Sequence, residues 1–258
     1  MAQIVVDGHR FDAKAVVFDK DGTLLDFHHI WGRRTLAWVD VMVTGAREDE
    51  ALQETAWEAL HNSLLLAIGF DPETGRVIPE GPSAVTTSEV IGTLATGALY
   101  QAGLSWQKAE SLARQTAAKT VLAPLAPGEI VPRGDVAGTV TRLANAGLQI
   151  AIVTSDDRAI TEAMIADLGI DPYLTVILCG DDPLPQKPDA GALEWVAVQL
   201  DVRPAEMVMV GDTATDMLAG RNAGVSGCIG VRDGAGEPRE LARLADALVD
   251  TIDELRVA

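Results

Sequence analysis

Residues 15–25 read Ala15-Val16-Val17-Phe18-Asp19-Lys20-Asp21-Gly22-Thr23-Leu24-Leu25. Four apolar residues, typical of a buried β-strand, lead into two carboxylates two positions apart and then a turn at Gly22. Carboxylates placed this way can hold a hard cation such as Mg²⁺, and one of them can attack phosphorus as a nucleophile. A simple Asp-Gly hairpin turn explains these residues almost as well. The choice between the two interpretations therefore depends on the rest of the chain.

The composition is that of a globular protein with a sizeable core. The chain has 258 residues, of which 48% are apolar and 22% charged, with a formal net charge of −18. That charge argues against nucleic-acid binding, and it requires local cations at any site for an anionic substrate. The N-terminus lacks the features of a signal peptide, and no apolar run approaches the ~20 residues that span a bilayer. Cys179 and Cys228 indicate neither a disulfide nor a zinc site. We therefore expect a cytoplasmic protein with buried thiols and no membrane partner.

Short apolar runs without clean alternation predict strands that helices cover on both faces. These runs are residues 15–18, 148–153, 175–178 and 207–210, with 227–231 and 247–249 as short additional strands at an edge. Helical patterns lie between them and end at glycines or follow a Pro-Asp pair. The predicted helices are 136–146, 158–168, 190–200 and 213–223. This alternation predicts an α/β fold with a doubly wound, Rossmann-like parallel sheet.

A long segment between the first two strands has helical spacing and few strand signals. Its predicted helices are 30–43, 48–68, 85–102 and 107–121. We expect an all-helical domain over residues 27–128, inserted into a discontinuous core of residues 1–26 and 129–258. Trp31 and Trp38 are seven positions apart, so they share a helix face and are expected in the interior of this insert.

Polar residues follow the predicted core strands at the point where each strand ends. They are Asp19 after the first, Thr154 and Ser155 after the second, Lys187 beyond the third, and Asp212 and Asp216 after the fourth. Ligands bind beyond the carboxyl ends of the strands in an open α/β sheet, so these residues are expected to meet in one pocket. Each has another interpretation by itself, such as a helix cap for Thr154 or an ordinary loop lysine for Lys187. Their occurrence together, in order and at strand ends, favours a site.

The whole chain resembles the phosphohydrolases of the haloacid dehalogenase superfamily. The motifs that carry the resemblance are Asp19-Lys20-Asp21-Gly22-Thr23, Thr154, Lys187-Pro188, and Gly211-Asp212 with Asp216. The helical insert is similar to the C1-type cap of that family, and the chain looks closest to the phosphoglycolate-phosphatase-like branch. The resemblance implies Mg²⁺-dependent hydrolysis of a small phosphorylated metabolite through an aspartyl-phosphate.

The resemblance also implies a role for each residue. The catalytic residues would be Asp19 as nucleophile, Asp21 as general acid and then base, Thr154 as a phosphoryl hydrogen-bond donor, and Lys187 as a neighbouring cation. The Mg²⁺ ligands would be Asp19, Asp21 through its backbone carbonyl, Asp212 and Asp216. Gly22, Thr23 and Ser155 are expected beside the phosphoryl group. Apart from the resemblance, residues 27–34 begin the insert close to Asp19, so His28, His29, Arg33 and Arg34 are candidates for contact with the rest of the substrate. Lys20 is expected to point away from the site, because alternate residues of an extended segment face opposite sides.

Other activities remain open at this point. The Asp at position 21 favours phosphate esters over dehalogenation, since a halide leaving group needs no proton. A sugar-phosphate mutase of the β-phosphoglucomutase type would share the same carboxylate pair and cap class. A phosphate-sensing, receiver-like module is a more remote alternative. Residues 27–34 depart from the pattern expected of a phosphoglycolate phosphatase, so the sequence leaves the substrate open, as it does the oligomeric state.

Overall fold

The chain divides into two compact units. The computed structural model describes residues 2–48 and 57–258. Met1–Phe27 and Ile130–Ala258 form one unit, here called the core unit, and His28–Glu129 form the other, the helical unit. The boundaries expected from the sequence fall one residue earlier at both junctions. Among the described residues, no helix is long and apolar enough to cross a membrane.

Two sheets make up the β-structure of the core unit. Their strands are β1 (Ala2–Val6), β2 (His9–Ala13), β3 (Ala15–Phe18), β4 (Gln149–Val153), β5 (Leu174–Leu178), β6 (Met207–Gly211), β7 (Gly227–Val231), β8 (Ala247–Val249) and β9 (Arg256–Val257). The larger sheet has six strands in the order β5-β4-β3-β6-β7-β8, and all its neighbouring pairs are parallel. Every residue of β3, β6 and β7 is buried, which is typical of strands covered on both faces. The predicted doubly wound α/β fold is confirmed.

The helices of the core unit lie between successive parallel strands, as the sequence pattern predicts for four of them; the helix Pro238–Leu244 was not predicted. The described helices of the helical unit are α1 (Arg33–Ala46), α2 (Trp57–Ile68), α3 (Pro82–Val85), α4 (Ser88–Gln101) and α5 (Trp106–Lys119); those of the core unit are α6 (Val136–Asn145), α7 (Arg158–Leu168), α8 (Ala190–Leu200), α9 (Ala214–Ala223) and α10 (Pro238–Leu244). Gly169 after α7 and Gly224 after α9 adopt left-handed conformations, with φ of 67° and 71°. Glycine reaches this region without the steric cost that a Cβ brings, so it ends the helix there.

The smaller sheet is antiparallel, has the order β2-β1-β9, and was not expected. Its hairpin turns at Asp7 and Gly8, whose φ values are +46° and +78°. Positive φ at both central residues is the signature of a two-residue hairpin turn, for which Asp-Gly is a preferred pair. The Asp7-Gly8 pair was therefore a signal in the sequence for a hairpin between β1 and β2.

The helical unit begins with a π-helical turn over His28–Gly32, which continues directly into α1. Trp38 on α1 is buried, and its Nε1 donates to the Thr116 hydroxyl at 2.9 Å. This side chain lies in the interior of the unit as expected, whereas Trp31 is half-buried.

Only part of the expected helix 48–68 can be compared with the structure, whereas the expected helix 85–102 lies fully within the described residues. Part of the first falls on residues 49–56, which lie outside the described residues. The second is wrong at its start, because Thr86 and Thr87 are extended and separate α3 from α4. Threonine is β-branched and loses side-chain freedom inside a helix, which favours a break at this pair.

Candidate active site

Three neighbouring strands in the middle of the parallel sheet end in polar residues. Asp19 follows β3, Thr154 follows β4 and Asp212 follows β6. In the sheet register, Phe18 pairs with Ile152 on one side and with Val210 on the other. The three polar residues therefore emerge at the same edge of the sheet, as expected for a ligand site of an open α/β fold.

A lysine bridges two of the carboxylates at this edge. Nζ of Lys187 lies 2.6 Å from Oδ1 of Asp19 and 2.6 Å from Oδ1 of Asp216. All three side chains are at least nine-tenths buried. Asp216 is held in turn by Thr213, whose hydroxyl and backbone N–H both donate to Oδ2, at 2.8 and 3.0 Å. This capping box at the start of α9 orients a carboxylate toward the site.

Asp212 is enclosed by donors from two loops. Thr23 donates its hydroxyl to Oδ1 at 3.1 Å, and the backbone N–H of Ala235 donates to Oδ2 at 2.6 Å. Gly22 has a φ of +83°, and a Cβ there would lie 2.1 Å from Oδ2 of Asp212. Gly22 is thus required by both its conformation and the close approach of a carboxylate. Thr23, expected to contact substrate, is instead fully buried against Asp212.

The loop that follows β7 is a part of the site that the sequence analysis missed. Besides the Ala235 N–H, it provides Gly234 and Gly236, where a Cβ would lie within 2.1 Å of the Asp212 side chain and 2.2 Å of its backbone oxygen. Two glycines flanking one residue were the available signal. Their contribution is recognisable only once β6 and β7 are known to be neighbours.

Three carboxylates converge closely enough to share a cation. Oxygen atoms of Asp19, Asp212 and Asp216 all lie within 4.8 Å of one another, and all three residues are buried. Such an all-oxygen set suits a hard divalent cation, and Mg²⁺ prefers to bind few carboxylates and to keep several waters. Asp21, expected to supply its backbone carbonyl, does not add its carboxylate to this group.

The three carboxylates and Lys187 together carry an excess of negative charge. Burial raises the pKa of Asp19 to about 6, with Asp216 and Asp21 adding to the effect and Lys187 opposing it. Burial also raises the pKa of Asp212 well above its usual value, and the charges of Asp19 and Asp216 raise it further. For Lys187, burial lowers the pKa, but the two aspartates outweigh it and the pKa is raised. One ammonium among three carboxylates leaves room for a further cation, so the residues fit the expected metal.

Thr154 and Ser155 follow β4, and Thr154 is placed to donate a hydrogen bond rather than to cap the next helix. Thr154 is buried, and its hydroxyl oxygen accepts the backbone N–H of Asp156 at 3.2 Å. This bond uses the oxygen only as an acceptor and leaves its proton for donation to another group. The residue before α7 is Asp157, so Thr154 is not the cap of that helix. Ser155 is half-buried beside it.

Lys20 does not point away from the site, and this expectation is wrong. Its Nζ contacts the Asp21 carboxylate, lies 2.7 Å from Oδ2 of Asp156, and lies 3.1 Å from Sδ of Met164. The alternation rule fails because β3 ends at Phe18 and the backbone then turns into a bridge between Asp21 and Leu25. Asp156, which the sequence analysis did not single out, is the second anion at this buried lysine.

The electrostatics around Lys20 resemble those around Lys187. Burial lowers the pKa of Lys20, but Asp156 and Asp21 outweigh it and raise the pKa above its usual value. Burial raises the pKa of Asp156 to about 8, the Asp21 carboxylate adds to this rise, and Lys20 opposes it. The core unit therefore contains two buried lysines, Lys20 and Lys187, each of which contacts its own pair of aspartates.

In the helical unit, the structure argues against a substrate role for Arg34. Its side chain is buried, and Nε and Nη2 donate to the two Glu129 oxygens at 2.6 and 2.7 Å. The remaining donors reach the backbone carbonyls of Thr120, Val121, Ala123 and Pro124. A guanidinium so fully bonded to protein ties the first helix of the unit to its last segment. Arg33 is exposed, and His28 and His29 are half-buried.

The fold and the geometry together define a class of protein: a doubly wound α/β protein with an Asp-Lys-Asp cluster at the carboxyl ends of its central strands. Residues 13–224 match the profile of the haloacid dehalogenase-like hydrolases. The chain belongs to that family, and the resemblance inferred from its motifs is confirmed.

Among the curated proteins, this chain is similar to phosphoglycolate phosphatases over about half of its length. The plasmid-encoded phosphoglycolate phosphatase of Cupriavidus necator is 40% identical over 129 residues, which are 50% of this chain and 54% of the relative. The chain spans about half the length of the curated relatives it matches.

Solved structures match over nearly the full chain. CbbY from Rhodobacter sphaeroides, in complex with phosphate, has a TM-score of 0.61 at 21% identity, with 93% of this chain and 95% of that chain covered. A 2-haloacid dehalogenase from Pseudomonas syringae has a TM-score of 0.59 at 22% identity, with 94% and 96% covered. Because a dehalogenase matches about as well, this similarity shows the fold and leaves the chemistry to the site.

Proposed function

We propose that this protein hydrolyses a phosphate monoester of a small metabolite, with Asp19 as the nucleophile. The observation that carries the proposal is the buried contact of Asp19 with Lys187, at the strand edge where Asp212 and Asp216 also converge. Lys187 keeps one Asp19 oxygen close to a positive charge, and the same charge can attract the oxygens of a phosphoryl group. Phosphoryl transfer depends mainly on such positioning and charge neutralisation.

The chemistry proceeds in two steps at Asp19. An Asp19 oxygen attacks phosphorus, the ester P–O bond breaks, and Asp21 gives its proton to the departing alkoxide. Asp21 then removes a proton from water, the hydroxide attacks the aspartyl-phosphate at phosphorus, and inorganic phosphate leaves as the Asp19 carboxylate is regenerated. Thr154 donates its hydroxyl proton to a phosphoryl oxygen, and Lys187 stays next to both the nucleophile and the phosphoryl group.

The proposed cofactor is Mg²⁺. Asp19, Asp212 and Asp216 would hold it, together with the backbone carbonyl of Asp21 that the family resemblance implies. The cation would neutralise charge on the phosphoryl oxygens. The chain's own donors, Thr23 and the Ala235 N–H, keep the Asp212 carboxylate oriented. Thr213 does the same for Asp216.

The helical unit is proposed as the C1-type cap, so that substrate selection belongs to it rather than to the core unit. Arg33, with an exposed side chain, and the half-buried His28 and His29 are the candidates for contacts with the rest of the substrate. Arg34 is no longer one of them. The cytoplasmic location expected from the composition stays a prediction.

Phosphoglycolate is the first substrate to test, because several curated relatives carry the name phosphoglycolate phosphatase. A panel of phosphorylated metabolites with 2-phosphoglycolate among them, assayed for phosphate release with Mg²⁺ and with a chelator, tests the proposal. We expect Mg²⁺-dependent release from at least one alkyl phosphate, and no release by the Asp19→Asn variant. Conversion of a sugar phosphate to its isomer without phosphate release would instead indicate a mutase. Stable phosphorylation by a donor without turnover would indicate a receiver-like module.

A further inference from the structure

Beside the proposed nucleophile, the core unit contains a second buried lysine, which the mechanism above leaves unused. Lys20 is fully buried, and its ammonium contacts the carboxylate of Asp21 and lies 2.7 Å from that of Asp156. The Asp21 side chain is 11% exposed and that of Asp156 is 21% exposed. We call Lys20, Asp21 and Asp156 the Lys20 trio.

The trio joins two adjacent residues, Lys20 and Asp21, to a third that is far away in the sequence. Lys20 and Asp156 are 136 positions apart and meet because they follow β3 and β4, which are neighbours in the sheet. The ammonium also contacts Sδ of Met164 on α7, a weak acceptor. Burying an ammonium is costly unless strong partners compensate, so the two carboxylates and the lysine hold one another in place.

The Asp21 carboxylate has to exchange a proton with the leaving group at a defined position. The contact of Asp21 Oδ2 with Lys20 restricts the rotamers of Asp21, because Asp156 holds Lys20 in place. A displacement of about 1 Å in a reacting group can cost about 10²-fold in rate. An anchored carboxylate avoids this loss.

We propose that Lys20 and Asp156 are positioning residues, which hold the Asp21 carboxyl group where it protonates the leaving oxygen. This inference rests on the proposed phosphatase function. Neither residue touches the substrate in this assignment. Their effect reaches the reaction only through Asp21, and it should therefore vary with how strongly the leaving group needs a proton.

The leaving group provides the readout. An alkoxide is a strong base and departs only with a proton, whereas p-nitrophenolate is a weak base and departs without one. The ratio kcat/KM reports the steps up to departure of the leaving group, before water attacks the phosphorus of the aspartyl-phosphate. A fault in the position of Asp21 therefore lowers kcat/KM for an alkyl phosphate much more than for p-nitrophenyl phosphate. A general loss of folding lowers both equally.

The test measures kcat/KM for p-nitrophenyl phosphate and for the alkyl phosphate that the wild-type protein hydrolyses fastest. The variants are Asp21→Asn, Lys20→Met, Lys20→Arg and the double variant Lys20→Met with Asp156→Asn. The double variant removes one positive and one negative charge, so the formal charge of the trio stays the same and misfolding is less of a risk. Lys14→Met is the matched control, because Lys14 forms an ion pair with Glu206 in the same unit and is half-exposed.

We expect Asp21→Asn, Lys20→Met and the double variant each to lose about 10²-fold in kcat/KM on the alkyl phosphate and less than about 5-fold on p-nitrophenyl phosphate. Lys20→Arg, which keeps the charge, should recover part of the loss, and Lys14→Met should match the wild type. Equal losses on the two substrates, or no loss on either, would overturn the inference. A wild-type protein inactive on both substrates would overturn the proposed function itself.

Discussion

Lys187 contacts Asp19 across 168 positions of sequence, with 2.6 Å between the ammonium nitrogen and one carboxylate oxygen. The contact is buried, and the same ammonium also binds Asp216. One lysine thus joins the residue after the first parallel strand to the first turn of α9. The proposed nucleophile and a proposed metal ligand are held by a single cation.

Replacing Asp19 with Asn should abolish phosphate release while the fold persists. The amide has nearly the shape of the carboxylate, but it cannot form the acyl phosphate. Phosphate release and thermal unfolding measured on the same sample check this. Asp12→Asn, at an exposed position on β2, is the control and should leave both unchanged. Activity retained by Asp19→Asn would remove Asp19 from the role of nucleophile.

Replacing Lys187 with Met should lower kcat/KM by about 10²-fold or more, since the positive charge beside Asp19 and the phosphoryl oxygens is lost. Lys187→Arg keeps the charge but changes the geometry at two carboxylates, so we expect an intermediate loss. Steady-state kinetics of both variants, with circular dichroism to verify folding, distinguish charge from geometry. Wild-type kinetics in a folded Lys187→Met variant would contradict the proposed role.

Mg²⁺ should stabilise the wild-type protein and have little effect on Asp212→Asn. Three buried carboxylates within 4.8 Å repel one another, and a cation that binds only the folded state shifts the unfolding equilibrium. For a chain of this size, each kcal/mol of stabilisation raises the Tm by about 2–4 °C. Thermal unfolding with chelator and with excess Mg²⁺ provides the measurement.

In the presence of chelator, Asp212→Asn should unfold at a higher temperature than the wild type, because the repulsion is relieved. Asp250→Asn, at an exposed position of the core unit, is the matched control for the loss of one negative charge. An equal Mg²⁺ response in the wild type and in Asp212→Asn would count against the assignment of Asp212 as a ligand.

Replacing Arg34 with Met should destabilise the protein, by about 2–4 kcal/mol, because Glu129 and the four backbone carbonyls that Arg34 reaches lose their donor. Arg33→Met removes a neighbouring guanidinium that is exposed, so it should change stability by less than about 0.5 kcal/mol. Urea unfolding of the two variants compares them directly. If Arg33 contacts substrate, Arg33→Met raises KM without affecting unfolding. A larger loss of stability in Arg33→Met than in Arg34→Met would refute both the structural role of Arg34 and the substrate role of Arg33.

The two cysteines should be unreactive in the folded protein near pH 8. Burial raises the pKa of Cys179 and of Cys228 to about 11, and alkylation requires the thiolate. Mass spectrometry after iodoacetamide treatment should find neither alkylated until denaturant is added. Rapid labelling without denaturant would contradict the described burial.

The same two thiols predict a loss of stability at alkaline pH. A thiol in the unfolded chain has a pKa of about 8.5, so between about pH 8.5 and pH 11 the folded state binds more protons than the unfolded state. The contribution of the two thiols to the free energy of unfolding is therefore complete below about pH 8.5 and is lost as the pH rises toward 11. Urea unfolding at pH 8 and pH 10 measures it. The double variant Cys179→Ala with Cys228→Ala should lose less stability over this interval.

Much of this protein follows from local sequence signals. Strands and helices alternate in a way that predicts the parallel sheet, because apolar runs and glycine caps act within a few residues. The positions of Asp19, Thr154 and Asp212 at strand ends followed from the same pattern. The hairpin at Asp7 and Gly8 also had a local signal, although it was not predicted.

Only the tertiary structure decided the surroundings of these residues. Lys20 meets Asp156, Thr23 meets Asp212 and Arg34 meets Glu129 across 136, 189 and 95 positions, respectively. Such pairings depend on which strands are neighbours and on where the backbone leaves its extended course, and no local pattern encodes either. The sequence by itself determined the family, the order of the chemical groups and the strand ends that hold them. The packing determined which carboxylate each lysine holds, because a buried charge binds the nearest opposite charge in space rather than along the chain.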